Sequence, residues 1–107
     1  MTIRSFQGIE PSIPASAYVD EQAVVIGRVT LGEQTNIWPC AVLRGDVNDI
    51  RIGDRTNIQD GAVLHVAHEG EHGKGYALVI GQDVTVGHNA TVHACTIEDE
   101  VLIGMNA

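Results

Sequence analysis

The chain has 107 residues and a formal charge of −8, and 44% of its residues are apolar while only 4% are aromatic. That length allows one domain with one modest core. The acidity excludes nucleic acid and anionic membranes, which need a basic surface, and no apolar run approaches the ~20 residues of a membrane span.

Taken from the N-terminus, Met1-Thr-Ile-Arg-Ser-Phe carries no hydrophobic segment of signal-peptide type. Cys40 and Cys95 form no C-x-x-C motif, so a reducing, cytoplasmic setting is the default expectation. From Leu31 onward an aliphatic residue recurs at intervals of six: Leu31, Ile37 and Leu43, then Ile52, Ile58 and Leu64. The interval continues through Ile80, Val86 and Val92, and a last pair is Ile97 and Ile103. Small or β-branched residues often stand four places later, as at Thr35, Ala41, Val47, Thr56, Ala62, Val84, Ala90 and Val101. Glycine often follows the anchor directly, as at Gly32, Gly53, Gly81, Gly87 and Gly104.

An α-helix needs a period of about 3.6 and an amphipathic strand strict alternation. A period of six fits neither. It is the pattern of a hexapeptide β-helix, in which short strands turn corners and stack on their neighbours. The chain therefore reads as one all-β domain over 1–107. Its runs 52/58/64 and 80/86/92 are two triangular coils, with an excursion near 66–79 whose insertion falls at about 70–79.

All five histidines lie in one 29-residue window: His65, His68, His72, His88 and His93. Histidine is the commonest metal ligand, and three converging imidazoles form the ligand set of a catalytic zinc site. The repeat phase sorts them. His65 follows anchor Leu64 and His93 follows anchor Val92, so with the excursion looped out they stack one strand spacing apart, ~5 Å. His88 follows Gly87 on another side, across a corner from His93. A neighbouring subunit that presents its His88 to this chain's His65 and His93 solves the geometry, and a cyclic trimer closes it. His72, in Glu69-Gly-Glu-His-Gly-Lys-Gly, reads as a surface-loop residue.

Four stretches resemble the γ-class carbonic anhydrase family, its bacterial cytoplasmic-type members in particular. They are Arg44-Gly45-Asp46, Asn57-Ile-Gln59-Asp60-Gly-Ala-Val-Leu-His65, Val86-Gly-His88-Asn-Ala-Thr-Val-His93 and Ile103-Gly-Met105. The resemblance implies a left-handed parallel β-helix that trimerises, with a metal at each subunit interface. By position, His65 and His93 are ligands from one subunit and His88 the ligand from its neighbour. The ion implied is Zn2+, with Fe2+ or Co2+ in some members. Arg44, Asp46 and Asp60 match an interfacial charged network, Gln59 an amide that orients the reactive water, and Asn57 a further pocket amide. The activity implied is reversible hydration of carbon dioxide to bicarbonate by a metal-bound hydroxide. Three neutral imidazoles leave the ion's charge intact, which lowers the pKa of a bound water to roughly 7.

The chain also departs from the best-known members. Val47 stands where they carry a glutamate after the Arg-x-Asp segment, and His68 where they carry a shuttle glutamate three places after the first ligand. The acidic loop is shortened to Glu69-Gly-Glu71-His72-Gly. An imidazole carries protons near neutral pH, so His68 is a candidate substitute for that shuttle, the alternative being a solvent-exposed loop histidine. The family's C-terminal helix is absent, and Ile103 opens a hexapeptide that barely finishes, so the domain reads as incomplete at its C-terminus. Two other functions stay open: a metal-binding structural or interaction trimer without hydratase activity, and acyl-CoA-related transferase or thioesterase chemistry.

Overall fold

The computed structural model describes residues 2–70, 73 and 75–107. Twelve strands, and no helix among the described residues, wind into a parallel β-solenoid. They are β1 (Ile3–Arg4), β2 (Tyr18–Val19), β3 (Val24–Leu31), β4 (Asn36–Ile37), β5 (Val42–Ile52) and β6 (Asn57–Ile58). The second half comprises β7 (Val63–His65), β8 (Leu78–Ile80), β9 (Thr85–Val86), β10 (Thr91–His93), β11 (Thr96–Ile97) and β12 (Leu102–Ile103). β3 and β5 run unbroken round one corner, so two sides form a single seven-stranded sheet. The third side is a five-stranded sheet ordered β12-β9-β6-β4-β2.

Every anchor of the six-residue beat pairs with the anchor one coil away. Leu31 pairs with Ile52, Ile52 with Ile80 and Ile80 with Ile97. Val19, Ile37, Ile58, Val86 and Ile103 form a second column, and Val25, Leu43, Leu64 and Val92 a third. These columns are the core: Ile37, Leu43, Ile58 and Leu64 are fully buried. Because side chains alternate across a strand, the residue after each anchor points outward. That alternation sets the faces of the site.

The corners explain why the period is six rather than two. Three residues after the first-side anchors, Gln34, Arg55, Asp83 and Glu100 all take left-handed backbone, with φ between 55° and 59°. Each such non-glycine residue costs roughly 1 kcal/mol. The cost is offset by the buried residue that follows, as at Thr56, whose hydroxyl donates to Gly81 O at 2.6 Å and accepts Val84 N–H at 3.2 Å.

Coils approach most closely at Gly53, where an added Cβ would lie 2.5 Å from Gly81 C and 2.7 Å from Gln82 N. Those are backbone atoms and cannot rotate away. Gly53→Ala is expected to lower stability by about 1–3 kcal/mol, whereas Gly104→Ala, with nothing within 4 Å, leaves it unchanged. Paired denaturant midpoints check both, and equal midpoints would mean the coils are not in tight contact there.

Two places depart from the plain six-residue count. Val47, four places past its anchor, is half-buried against the core but does not fill the stacked position. The register shifts where Gly27 pairs with Gly45 and Val29 already pairs with Ile50, so Asp46, Val47 and Asn48 bulge out. Ile50 fills the core position instead and is fully buried. The longer excursion rejoins the coil at β8, which begins at Leu78. It leaves the coil after His65 and folds back through antiparallel bridges Ala67↔Tyr76 and Gly70↔Gly73. Gly75 permits this return: its φ is +73°, and a Cβ there would sit 2.3 Å from Ala67 O.

Candidate metal centre

β7 and β10 each end in a histidine directly after a buried anchor, so both rings project outward from adjacent rungs. His65 and His93 pair in register, with ring centroids 5.3 Å apart and planes tilted by 58°. Two imidazoles bound through nitrogen to one tetrahedral ion, at about 2.1 Å each, have centroids roughly 5 Å apart. The spacing therefore suits a shared ion. Arg44 continues the same column one coil back, because Leu43 pairs with Leu64.

The bulge at residues 46–48 turns Asp46 toward this column. Asp46 Oδ1 lies 2.9 Å from His65 Nε2, and Oδ2 lies 2.5 Å from Arg44 Nη1. Val47 N–H also donates to Oδ1 at 2.8 Å. Burial pushes the Asp46 carboxyl up, but the bonds from His65, Arg44 and Val47 together outweigh it and hold the group down at about 2.

His88 stands elsewhere, in the turn that follows β9 on the five-stranded side. Its Nδ1 is 3.3 Å from Asp60 Oδ1, one coil back. Among the described residues no group of three or more His, Cys, Asp or Glu side chains is placed within one chain to hold a metal ion. Asn57 and Gln59 flank the buried Ile58 and so share the outward side of the five-stranded sheet. Asn57 Oδ1 is buried without a hydrogen-bond partner.

Arg44, Asp46 and Asp60 do not form a single network inside one chain. The structure separates them into an Arg44–Asp46–His65 cluster and an Asp60–His88 pair. His68 is exposed on the excursion beyond Ala67, and His72 lies outside the described residues. Sequence reasoning missed the two carboxylate–histidine contacts. Asp60 and His88 both stand two places after an anchor, at Ile58 and Val86, and that shared phase was the available signal. Trp38 stands one rung before Gln59, and its ring lies 5.2 Å from that of Tyr18.

Stacked coils of six-residue repeats carrying an outward histidine pair define a hexapeptide-repeat β-solenoid protein. The chain is 46% identical over 106 residues to protein YrdA of Escherichia coli, covering 98% of this chain and 58% of that protein. It is 47% identical over 97 residues to the mitochondrial gamma carbonic anhydrase 1 of Arabidopsis thaliana, covering 91% of this chain and 35% of that protein. The chain belongs to the γ-carbonic anhydrase-like family. A solved structure described as a hexapeptide transferase family protein from Anaplasma phagocytophilum matches with a TM-score of 0.78 at 40% identity. That match covers 89% of this chain and 52% of the other. The chain thus spans about half the length of several relatives it matches. No family model matches the chain. Among the described residues no helix is long and apolar enough to cross a membrane.

Proposed function

We propose that this chain forms the metal-holding coils of a trimeric, cytoplasmic enzyme that reversibly hydrates carbon dioxide to bicarbonate. The observation that carries this reading is the in-register pair His65 and His93, 5.3 Å apart and outward-facing. A third histidine, His88, sits on a different side of the same coil, where it serves an adjacent subunit. The three would hold Zn2+, or Fe2+ or Co2+, at each subunit boundary. A divalent ion in such a site supplies Lewis acidity and makes water a competent nucleophile near neutral pH.

The remaining chemistry falls to this chain's own side chains. Gln59 holds the reacting water by its amide, which orients without competing as a base. Asn57, on the other flank of Ile58, is a second amide on the same side of the sheet. Arg44 and Asp46 fix the first rung of the histidine column, and Asp60 fixes His88. His68, exposed just beyond His65, accepts the released proton on its imidazole and passes it to solvent.

One observation favours a second reading, a metal-binding trimer without hydratase activity. Val47 packs half-buried against the core and has no group that can move a proton. Stopped-flow carbon dioxide hydration, with zinc and with iron, on protein of measured metal content separates the two. Hydration that scales with bound metal is expected; full metal occupancy without hydration leaves only the binding module.

A further inference from the structure

Resting on the trimeric reading above, we infer that Tyr18 and Trp38 form the apolar anchor of the subunit contact, seated on Ile26 and Arg44 of the partner subunit, two coils away from the metal centre. Tyr18 and Trp38 stand on successive rungs of the five-stranded side, because Val19 pairs with Ile37. Their rings lie 5.2 Å apart at a tilt of 46°, and the two residues remain 48% and 38% exposed. Their polar atoms are already engaged within the chain. The Tyr18 hydroxyl donates to Asp20 Oδ2 at 2.8 Å, and Trp38 Nε1–H donates to Asn36 Oδ1 at 2.7 Å. What faces outward is ring surface, which gains from being covered. The chain has one tryptophan, two tyrosines and one phenylalanine, and two of these four stand together on the side that carries His88.

The repeat also fixes what covers them. About a three-fold axis parallel to the solenoid, the offset between neighbouring subunits is the same at every coil. His88 follows Val86 and falls between the partner subunit's His65 and His93. One coil back, Asp60 then falls between Arg44 and His65 of the partner subunit. Asp60 and Arg44 carry opposite charges, and their side chains are 53% and 49% exposed. Two coils back, Trp38 falls between the partner subunit's Ile26 and Arg44, which are neighbours in register. Ile26 is an aliphatic residue in the outward column that His65 and His93 continue, so it supplies an apolar counterface. The Arg44 guanidinium suits the face of an indole ring, and tryptophan, tyrosine and arginine are the residues that dominate interface energetics. Two rungs separate this contact from the ion, roughly 10 Å, so it holds the subunits together without touching the ligands.

Trp38 is the chain's single tryptophan, so its fluorescence reports this surface alone. In a dilution series followed by sedimentation, its emission is expected to be blue-shifted in the assembled protein and to move to the red in step with the fall in mass. Emission that stays constant while the mass falls overturns the inference and leaves the trimer standing. A monomer at every concentration overturns the trimeric reading itself. Trp38→Ala and Ile26→Asp are each expected to weaken assembly roughly thirty-fold or more. Both should lose zinc at concentrations where the wild type retains it, whereas Tyr76→Ala behaves as wild type. Trp38→Phe, which keeps an aromatic ring, should recover part of the loss. Wild-type assembly in Trp38→Ala overturns the anchor, and loss in Trp38→Ala with none in Ile26→Asp overturns the assigned counterface. The wild-type emission decides the matter even where a variant does not fold.

Discussion

Replacing His88 with alanine is expected to abolish metal binding, although His65 and His93 are untouched. Two imidazoles from one chain are too few for a site of the three-histidine type. The test that separates a shared site from a local one is complementation. His65→Ala alone should also lose the metal, because it removes half of the in-register pair. When His88→Ala and His65→Ala chains are unfolded, mixed in equal amounts and reassembled, some interfaces unite an intact His65–His93 pair with an intact His88. In a randomly mixed cyclic trimer this is about one interface in four. Bound zinc should recover to roughly a quarter of the wild-type content, measured by elemental analysis after removal of free metal. No recovery would mean that the ligands do not come from two subunits, and it would remove the trimeric interface from the proposed mechanism.

Leu64→Ala is expected to have the largest effect on the fold. Leu64 is fully buried, pairs with Leu43 in one coil and Val92 in the next, and immediately precedes His65. Truncating it leaves a cavity in the centre of a column whose neighbours are fixed by backbone ladders on both sides and cannot collapse inward. The loss should be about 2–5 kcal/mol, a large share of the 5–15 kcal/mol typical of whole domains. Tyr76→Ala, on a side chain 72% exposed, should stay within about 0.5 kcal/mol of wild type. Denaturant unfolding of the two variants side by side provides the measurement. Equal midpoints would show that the columns of anchors do not carry the stability. Since Leu64 also holds the rung that bears His65, zinc content should fall in Leu64→Ala even where the protein remains folded.

Much of this architecture is legible in the sequence. Leu31, Ile52, Ile80 and Ile97 share a phase in the sequence and share a column in the solenoid. A repeating structure writes its register into the chain, because each coil must bury the same position against its neighbours. The histidine pair was legible for the same reason: His65 and His93 each follow an anchor, so alternation puts both outside and stacking puts both together. What escaped were the departures from the beat. Val47 stands four places past its anchor by count, yet Ile50 takes the stacked position because the coil swells by three residues at that corner, and a count cannot say where an insertion starts.

Five histidines in one window pointed to a metal, and the sequence alone determined which two are stacked and that His88 belongs to another side. Only the tertiary structure decided which carboxylate faces which ring. Asp46 meets His65 from a bulge outside the repeat, and Asp60 meets His88 across the gap between coils. Local periodicity governs which way a side chain points, whereas a contact between two side chains depends on how the loops displace the backbone at each corner. That displacement carries no period to be read.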